Sequence, residues 1–134
     1  MPESARSPFA YAILRVVPRI ERGERFNAGV VVFCRQLGFL GAKVALDEQR
    51  LAALAPAARA DEVLAHLEAL VNVAAGEPGA GAIAELPPSE RFGWLVAPSS
   101  TIIQPSEVHT GLTDDPIATL EALFRELVEP VAPD

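Results

Sequence analysis

The chain has 134 residues, half of them hydrophobic, and a formal net charge of −7 at pH 7. A chain of this size buries a sufficient core without disulfides or metals, so we expect a single globular domain over residues 1–134. The acidic balance argues against a nucleic-acid binder, because phosphate neutralisation supplies most of that affinity. The apolar runs are too short for a membrane span, the N-terminus has no signal core, and one cysteine excludes an intramolecular disulfide. We therefore expect a cytoplasmic protein.

Three apolar stretches predict β-strands in the first third of the chain. FAYAILRVVP (residues 9–18) is rich in β-branched and aromatic residues and stops at a proline. NAGVVVFCR (27–35) is apolar enough to be a central strand that is covered on both faces. LGFLGAKVAL (37–46) follows after a short turn. Strands with such short connections indicate an antiparallel meander.

The hydrophobic period then changes to that of helices. A short helix, DEQRLAALAP, is expected after a cap at Asp47, and a longer one over residues 61–76 has its leucines on one face. Turn residues at both ends of 76–88 predict a flexible loop. ERFGWLVAP (90–98) and STIIQP (100–105) predict two further strands, and a last helix is expected from Pro116 to about residue 128.

This order of elements indicates the α+β class. We expect a largely antiparallel sheet of about five strands with two or three helices packed on one face. The sequence contains no internal repeat and no linker long enough to divide it.

The connection PRIERGERFN, between the first two strands, is the first candidate functional region. Six of the eleven basic residues lie within residues 1–35, against three of the eighteen acidic ones, so an anion site is expected near this connection. Guanidinium groups bind carboxylate or phosphate bidentately. The candidate binding residues here are Arg15, Arg19, Glu21, Glu24 and Asn27. The alternative is a solvated hairpin end whose charges pair internally.

The second candidate region is STIIQPSEVHTGLTDDP, residues 100–116. A Ser-His-Asp triad is one interpretation, but no nucleophile-elbow sequence is present. Its members would be Ser100 or Ser106, His109, and Asp114 or Asp115. Asp115, directly before Pro116, is better explained as a helix cap.

A binding role for the same region is the other interpretation, because hydroxyl, amide and imidazole groups suit an anion or a peptide backbone. The candidate binding residues are Ser100, Thr101, Gln104, Ser106, His109 and Thr110. Simple turn chemistry is the remaining alternative. With one cysteine and two histidines in the chain, we expect no metal site, and no cofactor is indicated.

Two segments carry a family resemblance. YAILRVVPRIERGERFNAGVVVFCR and STIIQPSEVHTGLTDDPIATLEALFRELV together resemble the bacterial domain-of-unknown-function family 3037, over nearly the whole chain and least in 76–88. The positions that match are Arg15, Pro18, Arg19, Glu21, Glu24, Asn27, Gly29, Gln104, Ser106, His109, Thr110 and Gly111. The family has no established activity. The resemblance implies a HipA-type kinase-like protein as a partner, since family members are often encoded beside one.

Two functional hypotheses follow. In the first, the domain is a small non-catalytic binding or regulatory protein that recognises an acidic or phosphorylated ligand or a HipA-type kinase, and it also forms a homodimer through sheet edges or faces. In the second, it is a phosphoester-processing enzyme, metal-assisted or metal-independent, with Glu21 or Glu24 and His109 as acid and base and Arg15 or Arg19 stabilising charge. The lack of a glycine-rich phosphate loop and of metal-ligand spacing favours the first. A shared ligand site requires both regions to line one concave pocket.

Overall fold

Five strands in the described part of the chain form one antiparallel sheet. The computed structural model describes residues 6–99 and 101–130. The strands are β1 (Ser7–Val16), β2 (Phe26–Cys34), β3 (Phe39–Val44), β4 (Ile103–Pro105) and β5 (His109–Thr113). β2 pairs with one side of β1 and β3 pairs with β2. Both β4 and β5 pair with the other side of β1, so β1 is the centre of the sheet.

Within residues 6–99 and 101–130 there are four α-helices, and local signals set several of their ends. They are α1 (Glu48–Leu54), α2 (Ala60–Ala75), α3 (Pro88–Leu95) and α4 (Pro116–Leu127). The Asp47 carboxylate accepts two backbone N–H groups at the start of α1. Gly76, with φ 67°, ends α2. The Asp115 carboxylate caps α4, whose first residue is Pro116.

Alternate side chains of the central strands enter two separate cores. Leu14 and Val31 lie in the core beneath α1, α2 and α3, on the side of the sheet that we call the α2 face. Val32 points the opposite way and packs with Leu120 and Phe124 of α4, on what we call the α4 face. This alternation follows from the two-residue period of a strand. The uninterrupted apolar run of β2 therefore has helices on both sides, as its sequence predicts.

α4 covers only part of its face. It packs on β2 and β3, where Lys43 forms an ion pair with Glu121 and lies 4.8 Å from the centre of the Phe124 ring. The α4 face of β1 is left partly open, because Phe9, Tyr11 and Arg15 are only partly buried. This open strip contains the candidate site.

The predicted α+β class and the antiparallel sheet are confirmed. The described residues contain four α-helices rather than two or three, and these cover both faces of the sheet rather than one. The reason is that different helices cover the two faces. α1 to α3 bury one side of β1 and β2, and the apolar stripe of α4 buries the other side of β2 and β3.

The prediction of a strand in ERFGWLVAP is wrong, because this segment forms α3. Pro88 occupies the first turn of the helix, where the backbone N–H that proline lacks would have no partner within the helix. The buried residues Phe92 and Leu95 are three positions apart, which places them on one side of a helix. A short apolar run of this kind does not distinguish the two structures by its pattern alone.

The last third of the chain also differs from prediction in its details. The predicted strand over residues 100–105 is present as Ile103–Pro105, and Ser100 lies outside the described residues. QPSEVHTG (104–111), for which turn chemistry is one interpretation, includes the start of strand β5 (His109–Thr113). The predicted loop at 76–88 includes a 3-10 turn, Ile83–Glu85. Among the helices of residues 6–99 and 101–130, none has the length and hydropathy needed to cross a membrane.

Candidate functional site

Three of the sequence-predicted residues form a row across the sheet. Arg15 of β1 is directly opposite Asn27 of β2 on one side and Gln104 of β4 on the other. Directly opposite residues of antiparallel strands share a face. Asn27 Nδ2 donates to the carbonyl of Leu127 at the end of α4, 2.8 Å away, which identifies this face as the α4 face. We call Asn27, Arg15 and Gln104 the Arg15 row.

A bulge in β2 sets this row. Leu14 is opposite Gly29, whereas Arg15 is opposite Asn27, so Ala28 is an extra residue on β2. Both Ala28 and Phe26 lie in the core of the α2 face, and Asn27 between them faces α4. Without the extra residue, a different side chain would stand beside Arg15.

The guanidinium of Arg15 lies within the sheet and has an N–H donor that forms no hydrogen bond with any described residue. Its side chain is only 20% exposed, and Nε is buried and has no hydrogen-bond partner among residues 6–99 and 101–130. The nearest carboxylate, Glu107, reaches it at a separation of 4.0 Å between Nη1 and Oε1, which is an ion pair but not a hydrogen bond. A buried donor without a partner costs about 1–3 kcal/mol, and a side-chain shift that brings Nε to an acceptor would recover that energy.

Two neighbouring aromatic side chains, Tyr11 and His109, lie farther along the same strip. Tyr11 is opposite His109 of β5, and their ring centres are 5.2 Å apart. Tyr11 and Arg15 are four residues apart on β1 and therefore lie on one face, about 13 Å apart along the strand. The exposed His109 side chain and the Glu107 carboxylate thus border the Arg15 row on its β5 side.

Glu107 balances the positive charges of this strip. Its carboxylate is 74% exposed. The pKa of Glu107 lies below its ordinary value chiefly because its own backbone N–H donates to it, with His109, Arg15 and Arg25 adding favourable charge. Glu107 is therefore an ionised competitor for any anion that approaches Arg15.

Ser106 lies between β4 and β5 and is hydrogen-bonded to β1 through both its backbone and its side chain. Its N–H donates to the Ile13 carbonyl, and its Oγ accepts the Ile13 N–H at 2.9 Å. The same hydroxyl donates to the Glu107 carbonyl at 2.8 Å. Because Ser106 is buried and its hydroxyl is engaged with backbone groups, we assign it a positioning role for Glu107 and His109.

Apart from Arg25, whose charge acts on Glu107, the arginines and glutamates of the connection lie away from the Arg15 row. Arg19 and Glu21 are exposed and approach to 3.9 Å, and Arg22 donates two hydrogen bonds to Glu24, at 2.6 and 3.0 Å. The hydrogen bonds from Arg22 lower the pKa of Glu24, and the pKa of Arg22 is raised in turn. These four charges thus pair internally, as in the predicted alternative of a solvated hairpin end.

The connection and His109 do not share a pocket. The connection begins after Val17, whose N–H donates to Ile102, whereas His109 is opposite Tyr11. Six residues of strand separate these two points, which is about 20 Å. The acid and base that the enzyme hypothesis requires are therefore not brought together around Arg19.

Thr110 and the acidic pair are also away from the Arg15 row. Thr110 is opposite Ala10 on β1, so its side chain lies on the other face from His109. Asp115 caps α4 by accepting the Ala118 N–H at 3.1 Å. With Ser106 buried and Asp115 in the cap, residues 101–116 do not assemble a triad.

Tyr11 and Glu107 are parts of this strip that sequence reasoning missed. The sequence contained the signal for Tyr11, because residues 11 and 13 of a strand lie on the same face as Arg15. Glu107 had no such signal, since its approach to Arg15 depends on the bulge at Ser106. No group of three or more His, Cys, Asp or Glu side chains in the described ranges is arranged to hold a metal ion.

Comparison with known proteins gives a family and no function. No curated protein and no solved structure is significantly similar to the chain. The profile of the family described as "Protein of unknown function (DUF3037)" matches residues 11–128. Because this match covers most of the sequence, the chain belongs to the DUF3037 family.

Proposed function

We propose that this domain is a non-catalytic binding protein that recognises a carboxylate or phosphate group of a partner at the Arg15 row. The observation that carries the proposal is the Nε of Arg15, which is buried in the sheet and forms no hydrogen bond within the described part of the chain. A guanidinium fork that uses Nε and one terminal nitrogen forms two parallel bonds with a carboxylate or phosphate.

The surroundings of Arg15 support this role. Asn27 and Gln104 use their amide groups on the carbonyls of Leu127 and Thr101, which fixes the neighbours of the guanidinium. Preorganised donors cost less entropy on binding than donors on free side chains. Arg25 adds positive charge near Glu107, so the strip is locally more positive than the rest of an acidic protein.

The net charge of −7 limits the kind of ligand that fits. A protein of this charge repels an extended polyanion at long range, while a single anionic group is attracted by the local field of Arg15. An isolated acidic or phosphorylated side chain within an otherwise neutral or basic segment therefore suits the site best.

The family resemblance supplies a candidate for the partner, a kinase-like protein of the HipA type. A phosphorylated segment of such a protein would present the single anionic group that the Arg15 row suits. The proposal therefore extends to co-purification of the two proteins, with Arg15 as a required contact. A homodimer is a separate expectation, which light scattering of the purified protein tests directly.

The direct experiment is a titration followed in a proton–nitrogen correlation spectrum, where the Arg15 Nε–H signal reports on its own hydrogen bond. The probes are a peptide with one phosphoserine, the same peptide with glutamate or serine there, and inorganic phosphate. We expect the phosphoserine peptide to shift the Arg15 Nε–H signal. Arg15→Ala should weaken binding at least about tenfold, consistent with the loss of a charge-assisted bidentate contact.

Two variants make the result specific. Arg15→Lys keeps the charge but lacks the fork, and should recover only part of the affinity. Arg35→Ala removes an exposed arginine at the opposite end of β2, whose guanidinium lies 5.9 Å from the Phe33 ring, and should bind like the unmodified chain. If folded Arg15→Ala binds every probe as well as Arg35→Ala does, the proposal is wrong.

A further inference from the structure

A cavity of about 230 Å³ lies on the α2 face, between α2, α3 and β4. Leu14, which precedes Arg15 on β1, forms part of its lining, as do Ile103 and Pro105, which flank Gln104 on β4. Since consecutive strand residues point to opposite faces, this cavity and the Arg15 row lie on opposite sides of the sheet. It is therefore independent of the function proposed above.

The lining combines an aliphatic surface with aromatic rings. Leu14 and Ile103, both nearly fully buried, and Leu70 of α2 contribute the aliphatic part. Trp94 of α3 also lines the cavity although its side chain is 46% exposed, and His66 of α2 contributes an imidazole. An exposed tryptophan at the border of an apolar cavity is a frequent anchor for ligands, because its ring offers a large apolar surface at small entropic cost.

Three polar side chains line the cavity, and two of them are in contact. Ser99 and Thr101 both line it, and their hydroxyl oxygens are 2.9 Å apart. The Thr101 hydroxyl also donates to the Ile103 carbonyl at 2.8 Å, which fixes its position. With the His66 ring, these hydroxyls can hydrogen-bond one polar substituent of a ligand that is otherwise apolar.

We propose that this cavity, the Trp94 cavity, binds a small planar aromatic molecule of one or two rings with one hydrogen-bonding substituent. An apolar cavity of about 150 Å³ holds benzene, so the larger volume here accommodates a substituted ring or a fused pair. Planarity is inferred from the indole and imidazole in the lining, since aromatic rings gain from stacking on one another. Drug-sized ligands occupy about 300–1,000 Å³ and are too large.

The test uses para-cresol as the probe and its saturated analogue, methylcyclohexanol, as the non-planar control of similar size. Trp94 is the only tryptophan of the chain, so its indole N–H signal in a proton–nitrogen correlation spectrum reports on the cavity without ambiguity. We expect para-cresol to shift this signal saturably and methylcyclohexanol to bind several-fold more weakly. Calorimetric titration gives the dissociation constants.

Three variants locate the binding. Trp94→Ala removes the stacking surface, and Ala97→Phe fills the cavity from an exposed position on its lining. Both should weaken para-cresol binding at least about tenfold. Ala53→Phe adds the same ring at an exposed position of α1 and should leave binding unchanged.

Circular dichroism establishes whether each variant is folded. If Trp94→Ala does not fold, Ala97→Phe still tests the proposal. No saturable shift of the Trp94 signal in the unmodified protein would overturn the proposal. Equal affinities in Ala53→Phe and Ala97→Phe would do the same. Equal binding of para-cresol and methylcyclohexanol would refute the aromatic class of ligand.

Discussion

The hydroxyl of Ser106 replaces a backbone carbonyl in the pairing of β1, since its Oγ accepts the Ile13 N–H at 2.9 Å. On this side of β1, two residues separate the partners Leu14 and Tyr11, while three separate Pro105 and His109. The extra residue forms a bulge, and the serine satisfies the Ile13 donor that the bulge would leave without a partner. The positions of Glu107 and His109 relative to Arg15 therefore depend on one hydroxyl group.

We predict that Ser106→Ala lowers the free energy of unfolding by about 1–3 kcal/mol, because the buried Ile13 N–H loses its acceptor. Urea denaturation measures the change, and amide hydrogen exchange at Ile13 should accelerate more than exchange in β2. Thr110→Ala, an exposed substitution on β5, is the matched control and should change stability by less than about 0.5 kcal/mol. Equal effects of the two substitutions would show that the hydroxyl is not needed for the bulge.

The second prediction concerns the competition at Arg15. Glu107→Gln removes the carboxylate that lies 4.0 Å from the Arg15 guanidinium and should tighten binding of the phosphoserine peptide about two- to fivefold, as expected for an exposed charge. The same titration measures it. Glu85→Gln changes the net charge equally at an exposed position in a distant 3-10 turn and should have little effect. An unchanged or weaker affinity in Glu107→Gln would mean that Glu107 does not compete with the ligand.

The third prediction gives that competition a pH dependence. Because the pKa of Glu107 lies below its ordinary value of 4.5, the carboxylate stays ionised as the pH falls from 8 to 5. The ratio of affinities between Glu107→Gln and the unmodified chain should be constant over that range. It should approach one only as the pH falls through the lowered pKa, where Glu107 becomes neutral.

Sulfate is the suitable probe for this series, since its charge is constant over the range, and circular dichroism confirms folding at each pH. The comparison of two proteins cancels any effect of pH that both share. A ratio that changes between pH 8 and 5 would contradict the lowered pKa of Glu107.

The elements that the sequence predicts correctly are those whose patterns are local. β1 to β3 have apolar runs bounded by turns, and α1, α2 and α4 have caps or glycine stops at Asp47, Gly76 and Asp115. α3 was outside the reach of this reasoning because its apolar run is short and its glycine and tryptophan obscure the helical period. β5 is short, largely polar and mostly exposed, so its strand structure comes from pairing with β1 and not from its composition.

The candidate site was predictable only in part. An arginine within an apolar strand stands out in the sequence, and Arg15 is the centre of the strip. Its neighbours depend on two bulges, one at Ala28 and one after Pro105, and a one-residue change of register moves a side chain to the other face. The sequence also favoured the charges around Gly23 as a binding region because they are numerous. The structure shows them exposed and paired with one another, which a sequence pattern does not reveal.

The last prediction compares two glycines that differ in the space around them. A Cβ atom on Gly29 would lie 2.7 Å from Val44 Cγ1 and 3.0 Å from the Lys43 carbonyl oxygen. Because the carbonyl belongs to the pairing of β2 with β3 and cannot move away, Gly29→Ala should destabilise the protein by about 1–3 kcal/mol. Gly93, in the exposed part of α3, has open space around a Cβ, and Gly93→Ala should stabilise by about 0.5–1 kcal/mol, since alanine favours the helix. Urea denaturation of both variants measures the difference, and a stabilising Gly29→Ala would mean that β2 and β3 are not packed closely at this position.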